Sequence, residues 1–133
     1  MKANELMIDD WVYNKNIDKP MQVYPMMLPQ MFRRTPDATT EDYNFFPVPL
    51  TTEILEKNGF EVQDQGGGRK YLWTGFGIDC EGDIEVEFQD NIPIHLKIDG
   101  AFKGEYYTSS NITYIHQLQH ALRLCGIEKE IVI

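Results

Sequence analysis

Thr113-Tyr-Ile-His-Gln-Leu-Gln-His-Ala-Leu-Arg-Leu-Cys-Gly126 reads as a capped amphipathic helix. Ile115, Leu118, Ala121, Leu122 and Cys125 recur at helical spacing and form one apolar stripe. Thr113 stands as the N-cap, and Gly126 supplies the left-handed residue that ends the helix. Such a stripe is core, so it needs an apolar face to lie on.

The segment before it provides that face. Asp83-Ile-Glu-Val-Glu-Phe88 alternates polar and apolar residues, which points Ile84, Val86 and Phe88 to one side of a strand. Ile92, Ile94, Leu96 and Ile98 repeat the pattern. Pairing the two strands around Gln89-Asp90-Asn91 sets Glu85 opposite His95 and Asp83 opposite Lys97, with unlike charges facing. A two-residue loop at Asp99-Gly100 would turn Phe102 to the polar face. A three-residue loop, Ile98-Asp99-Gly100, with a left-handed Gly100, instead pairs Leu96 with Phe102 and brings Tyr106 to the core. Upstream, Phe60-Glu-Val-Gln63 and Lys70-Tyr-Leu-Trp73 flank Gly66-Gly-Gly68 as a hairpin. Glu130-Ile-Val-Ile133 is compatible with a final edge strand.

A short helix precedes this meander. Thr51 is its N-cap, Glu53 lies in the first turn, and Leu50 and Leu55 form a hydrophobic staple. Gly59 ends it, with Phe60 folding back on Leu55. Nearer the N-terminus, Asp10-Trp-Val-Tyr13 and Pro20-Met-Gln-Val-Tyr24 read as strands around a polar turn. Six of the seven prolines fall in residues 20–49. That density predicts an irregular excursion over 25–42 and an extended segment over 43–48. The fold class is α+β. It consists of a small N-terminal β unit, a short helix, and an antiparallel β-meander covered by a C-terminal helix. We expect a single domain over 1–133, with the N-terminal β unit and its Met/Pro-rich loop in 1–50.

At 133 residues and 42% hydrophobic content the chain can bury a real core. Twelve Lys and Arg face 21 Asp and Glu, for a net charge of −9. Residues 51–133 alone carry 7 basic and 14 acidic groups, net −7. A phosphate backbone is repelled by such a surface, which disfavours nucleic acid as a partner. No apolar run approaches a membrane span, and the first ten residues lack the apolar core of a signal peptide. A cytoplasmic setting follows as an expectation, with Cys80 and Cys125 as free thiols.

Motifs that carry chemistry are weak. His116 and His120 lie four apart on one helical face, as two metal ligands would. The residues between them are Gln-Leu-Gln, so the metalloprotease glutamate is missing and a solvated polar face is the expected reading. The acids at 79, 81, 83, 85, 87 and 90 lack the glycine placement of a calcium loop and read as the solvated face of a strand. Gly66-Gly-Gly-Arg-Lys70 opens onto a strand and not a helix, so it does not cradle a phosphate. Cys125 is a small core residue, and the acidic surroundings of Cys80 blunt its nucleophilicity. We expect no catalytic residue, no cofactor and no metal site. Met21, Tyr24, Met26, Met27, Met31, Phe32, Arg33 and Arg34 form the expected partner surface, because methionine adapts to irregular contacts and proline keeps the segment extended. The acidic sheet face is a second candidate surface.

Three blocks of sequence resemble a family of small uncharacterised proteins of gut Bacteroidetes and their phages and mobile elements. The first holds Met1-Lys-Ala-Asn-Glu-Leu6, Trp11-Val-Tyr13 and Gln22-Val23. The second is Pro49-Leu-Thr-Thr-Glu-Ile-Leu-Glu-Lys-Asn-Gly-Phe60. The third holds Tyr114-Ile-His-Gln-Leu-Gln119 and Ala121-Leu-Arg-Leu-Cys-Gly-Ile127. The resemblance implies a mobile-element setting and no assigned activity. Where such proteins read Arg-Ile-Gly-Asn before the tryptophan, this chain reads Met7-Ile-Asp-Asp10. The expected function is that of a binding or accessory protein working through contacts with an unknown protein partner, as a monomer or weak homo-oligomer. One alternative is an enzyme or metal protein using His116 and His120. Another is an acidic mimic of nucleic acid.

Overall fold

The computed structural model describes residues 5–25, 41, 44–76, 82–102 and 105–133. Three short strands come first: β1 (Trp11–Asn14), β2 (Lys19–Gln22) and β3 (Phe45–Pro47). They form one antiparallel sheet in the order β2-β1-β3. Helix α1 (Thr52–Lys57) follows. Then come β4 (Glu61–Gly66), β5 (Arg69–Phe76), β6 (Gly82–Gln89), β7 (Ile92–Phe102) and β8 (Glu105–Ser109), and finally α2 (Ile115–Leu124). The five later strands make an antiparallel meander in sequence order. The chain divides into two compact units, residues 1–49 with 114–116 and residues 50–113 with 117–133.

In the first unit, Val12 on β1 is fully buried, and Pro47 of β3 is its partner on one side. Asn14 ends β1 by turning its side chain into the loop, where Oδ1 accepts from the Asn16 N–H at 2.9 Å. Lys15 donates its N–H to the Asn44 carbonyl at 2.9 Å, and its ammonium lies 4.3 Å from the centre of the Phe46 ring. Of the extended segment expected over 43–48, Phe45–Pro47 forms the third strand of this sheet, Asn44 is a turn residue with φ 63°, and residue 43 lies outside the described residues.

Helix α1 is built as its sequence predicts. The Thr51 hydroxyl accepts from the Ile54 N–H at 3.3 Å. Glu53 is held below the usual carboxylate range, chiefly by backbone hydrogen bonding at the helix start and then by the hydroxyls of Thr52 and Thr51. At the other end Gly59 has φ 87°, the Phe60 N–H donates to the Leu55 carbonyl and the Gly59 N–H to that of Glu56. These two bonds are the Schellman pair.

The meander places Leu72, Ile84, Val86, Phe88, Leu96 and Ile98 on one face, all with no exposed surface. The C-terminal helix covers this face, and its stripe of Ile115, Leu118, Ala121, Leu122 and Cys125 is buried throughout. Each such aliphatic or aromatic burial is worth about 1.5–3 kcal/mol. An exposed ion pair contributes about 0–1 kcal/mol, so this core and not the surface charge sets the fold.

Register departs from expectation at three places. The β6–β7 loop is Asp90-Asn91 alone, and both residues have positive φ, 51° and 65°, as a two-residue hairpin turn requires. Glu87 therefore faces His95, and Glu85 faces Lys97. A bulge after Phe88↔Pro93 makes Ile94 the extra residue. It restores Leu96 to the core while leaving Ile92 and Ile94 exposed. In the next hairpin Gly100 is left-handed, φ 82°, but it sits in a bulge within β7 and not in the turn. The strand continues to Phe102, which faces Glu105 and not Leu96. Ile98, expected in the turn, is a strand residue opposite Tyr107, and Tyr106 pairs with Asp99.

The start of α2 is tied to the segment before α1. The Ile115 N–H donates to the Val48 carbonyl at 2.8 Å, and Tyr114 bridges Pro49. Thr113 offers its carbonyl to the Leu50 N–H at 3.0 Å. Backbone pairing with the segment before α1 thus anchors the first turn of this helix. After Gly126 the chain has no regular structure, and the edge strand expected at 130–133 does not form. Ile131 is buried there instead.

Candidate functional site

Alternation along β5 puts Leu72 in the core and Tyr71 and Trp73 on the opposite, outer face of the meander. Tyr71 is half-buried and Trp73 is 39% exposed. Their cross-strand partners define two rows. One row reads Gln63–Tyr71–Glu87–His95 and the next Glu61–Trp73–Glu85–Lys97. Residues directly opposite one another in such pairs have Cβ atoms about 4.5–5.5 Å apart, close enough for side chains to touch. Gln63, Gln65, Tyr71, Trp73, Asp83 and Glu85 line an open groove of ≈ 410 Å³ across β4, β5 and β6.

The Tyr71 row is filled from within the chain. The Arg69 guanidinium lies 5.3 Å from the Tyr71 ring centre and meets Glu87 Oε1 at 2.6 Å. That carboxylate raises the guanidinium pKa further, first by hydrogen bonding and then by its charge. The Trp73 row has the same aromatic–carboxylate pairing, with no cation over the indole among the described residues. Asp83 and Glu85 form no ion pair among the described residues.

Strand β4 borders the groove and is exposed at all six positions. Among the described residues it pairs only with β5, and none of them pairs with its other edge. The turn to β5 is held from below. Gly67 and Gly68 both have positive φ, the Asp90 N–H donates to the Gly68 carbonyl at 2.9 Å, and Gln89 Nε2 donates to that of Gly67 at 3.0 Å.

The other expected positions fall elsewhere. Met21 lies on β2 with its sulfur 3.3 Å from Asn14 Nδ2, and Tyr24 is exposed. Met26, Met27, Met31, Phe32, Arg33, Arg34 and Cys80 lie outside the described residues. The solvated face expected for His116 and His120 is not what forms. His116 is buried, its ring stacked on Tyr114 at 5.7 Å, and His120 is half-buried. The buried arc of α2 is wider than its apolar stripe and takes in Gln119 as well. Among the described residues no three His, Cys, Asp or Glu side chains converge to hold a metal. Cys125 is buried, and desolvation pushes its thiol pKa up.

Sequence reading finds the acidic half of the outer face through Glu85 and Glu87. The aromatic half was legible too, in the alternation of Lys70-Tyr-Leu-Trp73. Its meaning depends on the β5–β6 register, which no local pattern states. No family model, curated protein or solved structure matches the chain.

Proposed function

We propose that this is a small binding protein, of phage or mobile-element origin, that acts through protein–protein contacts and not by catalysis. The outer face of the meander at β4–β6 is its docking surface. The observation that carries this reading is an exposed indole bordered by two glutamates and beside an open strand edge. An exposed large aromatic with polar neighbours has the composition of an interface anchor. A strand edge that no described residue pairs with is a template for another strand. The resemblance of the three sequence blocks to mobile-element proteins supports the proposed origin.

A photo-crosslinking residue placed at Gln63 tests the surface in the native host. A discrete cross-linked protein is expected from position 63 and not from the exposed Glu56 on α1. Equal products from both positions, or product from 56 alone, would count against this face.

A further inference from the structure

We propose that the Trp73–Glu85 pair is a receptor for the guanidinium or ammonium group of a basic, extended peptide from a protein partner, laid along the open edge of β4. This rests on the binding-protein reading and adds the chemistry of the partner.

The argument starts from the two parallel rows. Tyr71 and Glu87 are cross-strand partners, and Arg69 fills their box: cation over the ring, carboxylate on the guanidinium. One pair further along, Trp73 and Glu85 are partners in the same register. Tryptophan is the better cation–π platform, and this one is open to solvent. Glu61 faces Trp73 from the other side, so carboxylates bracket the indole in both directions. Asp83 adds a further one to the groove wall. Lys97 stands across from Glu85 on β7, on the side of Glu85 away from Trp73. The second box therefore has the ring and the carboxylate of the first, with no cation over the ring among the described residues.

The edge explains how the cation arrives. A strand added to β4 lies about 4.7–4.9 Å beyond it. Its alternate side chains then cross the outer face, and the long stem of Arg or Lys spans β4 to reach Trp73. Gln63 and Gln65 on β4 offer amides to the same ligand. Glu61 and Asp64 on this edge repel acidic or like strands and admit basic ones, so the charges that guard the edge also select the partner. The net charge of −9 steers such a peptide in the same direction.

The test uses nitrogen-labelled full chain titrated with acetyl-(Thr-Arg)3-amide, with acetyl-(Thr-Gln)3-amide as the uncharged counterpart. The Arg peptide is expected to shift the Trp73 indole signal and the β4 amides, and to bind at least about tenfold more tightly than the Gln peptide. Trp73→Ala and, separately, Glu85→Gln should each weaken it several-fold. Both sites lie on the outer face, and unchanged core signals will show that the fold is intact. Equal response to both peptides, no response to either at millimolar concentration, or indifference to Glu85→Gln would overturn the proposal. A partner cross-linked through Gln63 by a segment without Arg or Lys would also overturn it while leaving the binding reading standing. Failure of the cross-link to discriminate positions 63 and 56 would remove that reading itself.

Discussion

The Asn58 side chain closes a two-bond ring with the backbone of Val132. Its Nδ2 donates to the Val132 carbonyl at 2.7 Å, and its Oδ1 accepts from the Val132 N–H at 2.8 Å. The same Nδ2 lies 2.7 Å from the Ile54 carbonyl at the end of α1. A side-chain amide here does the work of a strand partner. It ties the C-terminal tail to a helix 74 residues away and holds Ile131 in the core.

Asn58→Ala should release that tail. Each of the three lost bonds is worth about 0.5–1.5 kcal/mol net, so a destabilisation of about 1.5–4.5 kcal/mol is expected in urea. Hydrogen exchange at the Val132 amide should accelerate toward the free-chain rate. Asn58→Asp keeps the acceptor for Val132 but turns a carboxylate toward two carbonyls, so it should not restore stability. Full protection of Val132 in Asn58→Ala would show that burial of Ile131 alone holds the tail.

The stripe of α2 predicts a sharp contrast. Leu118 has no exposed surface, whereas Leu124 in the same helix is 64% exposed. Leu118→Ala should cost about 2–5 kcal/mol through lost burial and a residual cavity. Leu124→Ala should stay within about 0.5 kcal/mol. Comparable urea midpoints for the two variants would contradict the packing of the helix on the meander.

Gly68 is constrained twice. Its φ is 81°, and a Cβ there would overlap Asp90 Oδ1. Gly67 has φ 63° with open space around it. Alanine at Gly67 should therefore cost only the left-handed strain, about 1–2 kcal/mol. Alanine at Gly68 should cost more, because Asp90 must also rotate away. In an Asp90→Ala background the two glycine variants should converge, a coupling that a double-mutant cycle measures.

Burial raises the Cys125 thiol pKa above its ordinary value of 9.0. The unfolded chain then releases this proton at lower pH than the folded one. The thiol's contribution is complete below the unfolded pKa and is lost as pH rises through the folded value. In a Cys80→Ser background, iodoacetamide should label Cys125 slowly in native protein and rapidly in urea. Rapid labelling of the native protein at pH 8 would show that the end of α2 opens.

Local pattern was a faithful guide where one element carries its own instructions. Thr51, Leu55, Gly59 and Phe60 specify α1 within a few residues, because capping and Schellman bonds are short-range. The alternation of Ile84, Val86 and Phe88 and the stripe of α2 likewise state which face is buried. These two periodicities suffice for an α+β meander with a covering helix.

Tertiary structure decided what depends on pairing between elements. The bulge at Ile94 inserts one residue, and one residue reverses every later side chain, whereas the irregularity at Gly100-Ala101 inserts two and moves the turn further along. Sequence reading placed Ile92 and Ile94 inside, and the bulged register leaves them in solvent. The third strand of the small sheet, the Val48–Ile115 bond that starts α2, and the Asn58–Val132 tether all join residues distant in the chain. The outer-face groove belongs to this second class. Tyr71, Trp73, Glu85 and Glu87 are plain in the sequence as residues, but only the β5–β6 register makes them two equivalent boxes. Arg69 fills one of these and leaves the other open, because its place at the start of β5 brings it to Tyr71 and Glu87. Periodicity is a property of one strand, whereas a site made from three strands exists only once hydrogen bonding between them has fixed who faces whom.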